Sequence, residues 1–338
     1  MPGMLAVGQT GYEKLLAGEL AGAGWPPREQ GPGWVLAGGD AGPPGGDTAF
    51  AHRRLAAPVE LRAGPVNALA RLALDFFAGS LRDERMAAAW PCAWSGAGGT
   101  VGLGRRSAAV AAEFHAQLRR RMSRVAALAV PEALGGPGPA RGLFVHFTAF
   151  DRAFAARDAL LGGQRRMADD PAAPSRSYLK VEEAYAVLGA EPRPGETVVD
   201  LGAAPGGWSY SAARRGARVV AVDNGPLRGG AAGHPRIAHR RSDAFGFRPA
   251  RGETFDWLFC DLVEEPHHVL QDIVAPWLER RWCRRFIVNL KFGRTDPLAL
   301  LRELQAASSP LIRHGATFRV RHLYHDREEF TVTGGVKA

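Results

Sequence analysis

Four charged residues stand where apolar runs begin or end. Lys180 opens a helical pattern in Ser177-Tyr178-Leu179-Lys180, Asp261 closes Phe259-Cys260-Asp261, Lys291 closes Val288-Asn289-Leu290-Lys291, and Glu329 opens the strand beginning Glu329-Phe330. Charged side chains at the ends of neighbouring strands point into one crevice, where two amines and two carboxylates can hold and exchange protons. Of 43 Lys+Arg only four are Lys (Lys14, Lys180, Lys291, Lys337), the remaining 39 being Arg. Where Arg serves as the ordinary cation, a retained Lys is a candidate for what Arg does not do, which is to lose its proton. Taken singly, each Lys reads equally well as a surface residue. Two of the four at the rim of one expected site favour chemistry.

A second group suits a nucleoside. Asp200-Leu201-Gly202-Ala203-Ala204-Pro205-Gly206-Gly207-Trp208 follows a strand pattern and precedes a helical one. In an open α/β sheet this is the place where nucleotides bind. A dinucleotide fingerprint needs Gly-x-Gly-x-x-Gly to seat a pyrophosphate on a helix N-terminus. Here Ala203 and Ala204 stand where the second Gly would be, and Pro205 removes an amide donor. A phosphate cradle is disfavoured, and a nucleoside with an amino-acid tail fits better. Asp223 ends the next strand, placing a carboxylate for both ribose hydroxyls, and Asp243 ends the one after, facing an adenine edge. Each carboxylate alone also reads as a helix N-cap; a succession of strand-end carboxylates argues for a site.

These residues need a frame. Thr197–Leu201, Arg218–Asp223, Phe255–Asp261 and Phe286–Leu290 read as strands separated by helical segments, one through Arg214 and another over Val269–Trp282. Phe318–Tyr324 and Phe330–Val332 read as a closing antiparallel pair. The expected class is α/β, a doubly wound, Rossmann-like domain over residues 175–338, preceded by a linker at 162–174. Earlier residues read as mixed α+β. Leu5–Gly8 and Trp34–Leu36 are strands, Tyr12–Leu20 is a helix, and Gly38–Gly46 is a loop or linker. A further unit begins near Pro58, with a helix at Ala68–Leu81, a strand within Met86–Trp94, one long helix at Ala108–Leu134 and a strand at Leu143–Phe147. Two Arg clusters, Arg119/Arg120/Arg121/Arg124 and Arg280/Arg281/Arg284/Arg285 around Trp282, read either as phosphate contacts or as solvated helix ends.

Composition sets outer limits. The 338 residues are 46% apolar, enough for two or three domain cores. No apolar run reaches the ~18 residues of a membrane helix, and the N-terminus lacks a basic segment followed by an apolar stretch, so secretion is not expected. Three cysteines (Cys92, Cys260, Cys283) without C-x-x-C spacing fit a reducing cytoplasm and no zinc site. The net charge of +9 permits a polyanionic partner without identifying one, because it is spread over both halves and coding bias accounts for much of the Arg.

The Lys-Asp-Lys-Glu order around Asp-Leu-Gly-Ala-x-Pro-Gly-Gly-Trp resembles the fibrillarin/FtsJ-like class of S-adenosylmethionine-dependent RNA 2′-O-ribose methyltransferases. Ala173-Pro174-Ser175-Arg176-Ser177, Val222-Asp223-Asn224-Gly225-Pro226, Phe247-Arg248-Pro249, Trp282-Cys283-Arg284 and Leu323-Tyr324-His325-Asp326-Arg327-Glu328-Glu329 are similar to the bacterial enzymes that methylate a cytidine ribose in large-subunit (23S) rRNA. The specific resemblance covers about residues 170–333. It implies that Ser177, the Ala204-Pro205-Gly206-Gly207 turn, Asp223, Asp243 and Asp261 contact S-adenosylmethionine. It further implies that Lys291 accepts the hydroxyl proton, with Lys180, Asp261 and Glu329 completing the set. Residues 1–57 would form a ferredoxin-like piece and 58–161 a THUMP-like RNA-binding domain, shorter here and richer in Gly, Pro and Ala than the family pattern. The family often has Cys where Ala204 stands, a change that spares backbone contacts.

Elementary chemistry agrees with this assignment. Methyl transfer from a sulfonium needs an in-line, partly deprotonated oxygen. A Lys with ordinary pKa near 10.4 accepts a proton only when neutral. Burial or a nearby cation such as Lys180 would favour that state, and Asp261 and Glu329 would partly oppose it. A base N-methyltransferase would carry Asn/Asp-Pro-Pro-aromatic after the fourth strand, which Asp261-Leu262-Val263 lacks. A small-molecule O-methyltransferase would leave the basic N-terminal half without a use. The other alternative is a catalytically silent rRNA-binding or ribosome-assembly protein that keeps the fold. The expected partner is 23S rRNA, protein-free or partly assembled, met by a cytoplasmic monomer with no membrane partner and no metal.

Overall fold

Strand-forming runs in the first half pair antiparallel, apart from those with the sixth strand. The strands are β1 (Gly3–Gly8), β2 (Pro27–Gly31), β3 (Trp34–Gly38), β4 (Ala51–Ala56), β5 (Val59–Arg62), β6 (Trp90–Gly96), β7 (Ala129–Val130), β8 (Gly138–Ala149) and β9 (Arg152–Leu161). They join in the order β2-β3-β1-β4-β9-β8-β6-β7, with β5 also on β9, so one sheet runs through the unit Met1–Gly162. The computed structural model describes residues 3–39, 47–81, 84–131 and 136–336. The expected loop at Gly38–Gly46 lies largely outside them.

Among the described residues four helices accompany this sheet: α1 (Glu13–Gly22), α2 (Val66–Gly79), α3 (Leu103–Arg121) and α4 (Ser123–Ala127). Along α3, Leu103, Ser107, Val110, Phe114 and Leu118 are buried, the three- and four-residue spacing of a single helix stripe. That stripe meets Phe77 of α2 and the sheet, where Phe77 stacks on Trp90 at 4.6 Å. The expected single helix over Ala108–Leu134 is corrected by the backbone. Met122 leaves helical geometry at φ −146°, and the chain reaches β7 by Ala129. The break lets Met122, Val125 and Leu128 pack on the core, which a straight helix would not. Cys92, Cys260 and Cys283 are free and buried, and burial pushes each thiol up to about 12.

The second unit, Gly163–Ala338, is α/β. Its strands are β10 (Thr197–Leu201), β11 (Arg218–Val222), β12 (Ile237–Arg240), β13 (Phe255–Cys260), β14 (Cys283–Lys291), β15 (Ala316–Arg321) and β16 (Glu329–Val336). The order is β12-β11-β10-β13-β14-β16-β15, parallel except for β16, which runs antiparallel to both neighbours. Strands β10 and β13 lie side by side at the point where winding reverses, so a crevice opens beyond their C-terminal ends. Apolar runs such as Trp257-Leu258-Phe259-Cys260 are buried throughout, as strands covered on both faces must be. The helices α5 (Tyr178–Leu188) and α6 (Gly207–Arg214) pack together over a core including Tyr185, Trp208, Trp257 and Phe259. The helical stretch expected at Val269–Trp282 is α7 (Pro266–Val269), a π-helical turn at Leu270–Val274 and α8 (Ala275–Glu279); α9 (Pro297–Gln305) and α10 (Pro310–Arg313) follow. Among the described residues no helix is long and apolar enough to cross a membrane, and no group of three or more His, Cys, Asp or Glu is arranged to hold a metal.

Candidate active site

Antiparallel pairing sets the geometry. In the β14–β16 register Asn289 faces Thr331 and Lys291 faces Glu329. Alternate residues of a strand share a face, so these two pairs lie side by side. Lys291 Nζ donates to Asp261 Oδ1 at 2.7 Å and to Glu329 Oε2 at 2.6 Å. Lys180, in the first turn of α5, pairs with Glu329 Oε1 at 2.6 Å and lies 3.7 Å from Asp261 Oδ2. Each amine therefore meets both carboxylates, and the four residues close into a ring of alternating charge. Side-chain exposure falls from 25% at Lys291 to 5% at Glu329, so the ring is inset with Lys291 nearest solvent.

Ring electrostatics decide the resting protonation. Burial alone favours a neutral Lys291, but the Asp261 and Glu329 carboxylates outweigh it and raise the amine above its ordinary range. The carboxylates thus do more than the partial opposition expected from sequence, and resting Lys291 is an ammonium. Glu329 is the converse case: burial raises its carboxyl, and Lys180 and Lys291 overcome that and lower it.

Beside the ring lies a cavity of about 610 Å³ bordered by Arg176, Ser177, Lys180, Lys291, Arg327 and Glu329, among others. Its walls are braced by a residue that the sequence reading passed over. Glu183 is fully buried and accepts the amides of Arg165, Tyr324 and His325, tying the preceding segment and the Tyr324–His325 turn to α5. Burial pushes its carboxyl up to about 8. An acidic residue inside the apolar pattern of α5 was the available signal.

The glycine loop is held by its own polar groups. Gly202 and Gly206 have φ of +81° and +107°, and a Cβ on Gly206 would come within 2.5 Å of the Ala231 Cβ. Asp223 accepts the amide of Ala204 at 3.0 Å and that of Gly225 at 2.7 Å, one per carboxylate oxygen. The Gly202 and Ala203 amides bond to the Val222 carbonyl, and that of Gly206 to Ala203. These four amides are engaged within the protein and Pro205 has none, which disfavours a phosphate cradle at this turn. The remaining lone pairs of Asp223 suit hydroxyl donors. That donor and acceptor set fits an adenosine whose tail is an amino acid. Ser177 sits against the same loop: its carbonyl accepts the Trp208 indole N–H at 3.0 Å, and its hydroxyl bonds to that of Ser175 at 2.7 Å. Asp243 lies beyond β12 and accepts the amides of Phe245 and Gly246 in its own turn. Asp200, in the strand between, is buried, and burial together with the charges of Asp261 and Asp223 pushes its carboxyl up to about 7.

Residues 173–332 match the family model for FtsJ-like methyltransferases. This part of the chain is similar to FtsJ-like methyltransferase domains. Curated relatives agree. The chain is 45% identical over 169 residues to the ribosomal RNA large subunit methyltransferase M of Laribacter hongkongensis, covering 47% of each chain. It is 47% identical over 163 residues to the protein of that name from Halorhodospira halophila, covering 47% of this chain and 46% of that one. With the Marinomonas protein it shares 42% over 186 residues, 52% of each. The chain spans about half the length of the curated relatives it matches.

Within the second unit, Lys180, Asp261, Lys291 and Glu329 are in direct contact, and Ser177, Gly207, Ala204 and Asp223 cluster at the loop. The Arg280–Arg285 cluster is elsewhere. It sits where β14 begins, about 26 Å along the strand from Lys291 at ~3.3 Å per residue. There Arg284 pairs with Asp256 at 3.3 Å, and Arg280 and Arg285 cover the Trp282 and Trp257 rings. Reasoning from sequence missed Asn289, Thr331 and Asp326, whose side chains lie behind the ring. The trace was a lone Asn two residues before Lys291 in an otherwise apolar strand.

Proposed function

We propose that the chain methylates the 2′-oxygen of a cytidine ribose in large-subunit (23S) rRNA, using S-adenosylmethionine, with Lys291 as proton acceptor. The observation that carries this reading is the closed Lys180–Asp261–Lys291–Glu329 ring at the edge of a cleft beside the adenosine-suited loop. S-adenosylmethionine supplies, when bound, a sulfonium methyl group open to attack by an oxygen. Asp223 would hold the ribose hydroxyls, Asp243 the adenine edge, and Ser177 with Ala204, Pro205, Gly206, Gly207 and Asp261 the remainder.

Lys291 rests as an ammonium, so it accepts the substrate proton only after losing its own. Lys180 and Asp261 hold Glu329 and Lys291 in place through both states. Arg176 and Arg327 border the cleft and suit the phosphates of a splayed RNA segment. Residues 1–57 and 58–161 would anchor the RNA, with Arg119, Arg120 and Arg121 at the end of α3 and Arg124 in α4 among the contacts. Protein-free or partly assembled rRNA in the cytoplasm is the proposed substrate, met by a monomer.

The decisive experiment is methylation of protein-free large-subunit rRNA by the purified chain, followed by mapping of the modified ribose. A single 2′-O-methylcytidine supports the reading. An unmodified ribose map with retained RNA binding would replace it with a non-catalytic assembly role.

A further inference from the structure

Behind the ring, Asn289, Thr331 and Asp326 are buried at 0, 0 and 2% exposure. Asn289 Nδ2 lies 3.0 Å from Asp261 Oδ1, Thr331 Oγ1 lies 2.7 Å from Asn289 Oδ1, and Asp326 presents both oxygens to Thr331 at 3.2 and 3.0 Å. Asp326 Oδ2 also accepts the Leu323 amide at 2.9 Å.

Donor arithmetic orders the protons. Asp261 accepts from Lys291, so the NH₂ end of Asn289 faces it and the carbonyl end faces Thr331. That carbonyl has no hydrogen, so the single Thr331 hydroxyl proton points to it. Lone pairs of Thr331 then face Asp326. An ionised Asp326 would set acceptor against acceptor in a buried place, and turning the Thr331 proton toward Asp326 would create the same conflict with Asn289 at 2.7 Å. A proton on Asp326 Oδ1 gives Thr331 a donor on that side without disturbing its bond to Asn289, and leaves Oδ2 for Leu323.

We infer that Asp326 is a carboxylic acid in the folded protein, and that Asp326, Thr331 and Asn289 form a one-directional hydrogen-bond chain that aims Asp261 at Lys291. All three are positioning residues, since none touches the cleft side of the ring. The surroundings agree: burial raises the Asp326 carboxyl well above its usual range, Glu329 and Glu183 add to this, and the Leu323 amide and Lys180 oppose it. Chains of this kind strengthen one another and fix side-chain orientation.

The kinetic part of the test rests on the methyltransferase reading, and the spectroscopic part does not. Difference infrared spectra of the full chain at neutral pH, wild type against Asp326→Asn, should show loss of a protonated-carboxyl C=O band. Loss of an ionised-carboxylate band instead would overturn the inference. In rRNA methylation, Thr331→Val should lower kcat about tenfold or more with rRNA KM unchanged, and Thr331→Ser should restore it to within about twofold. A Thr331→Val protein that folds and turns over like wild type would overturn the positioning role. Should Thr331→Val fail to fold, Asn289→Leu replaces it with the same expected loss of kcat, and wild-type kcat in that variant overturns the role equally. Absence of rRNA methylation by wild type itself would count against the function and leave the infrared outcome to decide the chain.

Discussion

Lys291 and Glu329 face each other directly across the antiparallel pair of β14 and β16, with Nζ 2.6 Å from Oε2. Their meeting is a product of register. A slip of one residue would turn one of them to the opposite sheet face and open the ring.

Replacing Lys291 by Arg should leave S-adenosylmethionine binding within about twofold and reduce kcat about 10²–10⁴-fold, the range ascribed to a positioned proton acceptor. Calorimetric binding and single-turnover methylation measure the two quantities separately. Near-normal turnover would remove Lys291 as the acceptor.

Alkaline pH should accelerate the proposed methylation. The neutral fraction of Lys291 increases tenfold per pH unit below its pKa, and that pKa lies above the ordinary Lys value of about 10.4. The rate of the chemical step should therefore climb with unit slope across the neutral and mildly alkaline range without levelling. Asp261→Asn removes one of the carboxylates that hold the ammonium, so its limb should shift to lower pH. A flat wild-type profile from pH 7 to about 9 is the outcome that contradicts this.

How much of this could be read from the chain follows a physical line. Alternation of strands and helices, and the place of Lys291, Asp261 and Glu329 at strand ends, are local patterns, and the backbone bears them out. Cross-strand partners are not local: Asn289 and Thr331 are brought opposite by a pairing that no neighbouring residue encodes. Protonation of Lys291 depends on distances of 2.6–2.7 Å, and spacing carries no distances. A single unbroken helix past Met122 failed as an expectation: the chain breaks at Met122 and resumes as the short α4, with Met122 and Val125 packed on the core.

Asp223→Ala should weaken cofactor binding and loosen the loop at once, because both carboxylate oxygens engage backbone amides. Leaving those amides without partners should cost about 1–3 kcal/mol of stability, and the cofactor Kd should rise by about tenfold or more. Thermal unfolding with and without S-adenosylmethionine would separate the two effects; an unchanged Kd would remove Asp223 from the cofactor site.

Gly206→Ala tests the loop from the other side. At φ +107°, with a Cβ placed 2.5 Å from Ala231, it should destabilise the domain by about 1–3 kcal/mol and lower cofactor affinity. Denaturant unfolding measures the first, and wild-type stability would show that the loop relaxes freely.

Engagement of the Gly202, Ala203, Ala204 and Gly206 amides within the protein has a consequence for competition in the cell. ATP, NAD and other adenosine carriers share the base and sugar that Asp223 and Asp243 are proposed to hold, yet each brings a polyphosphate. Those four amides offer no compensation for that charge, and the Asp223 carboxylate repels it. If the site holds S-adenosylmethionine as proposed, discrimination against such rivals requires no gate at this turn. It is inherent in a turn that has satisfied itself before any ligand arrives.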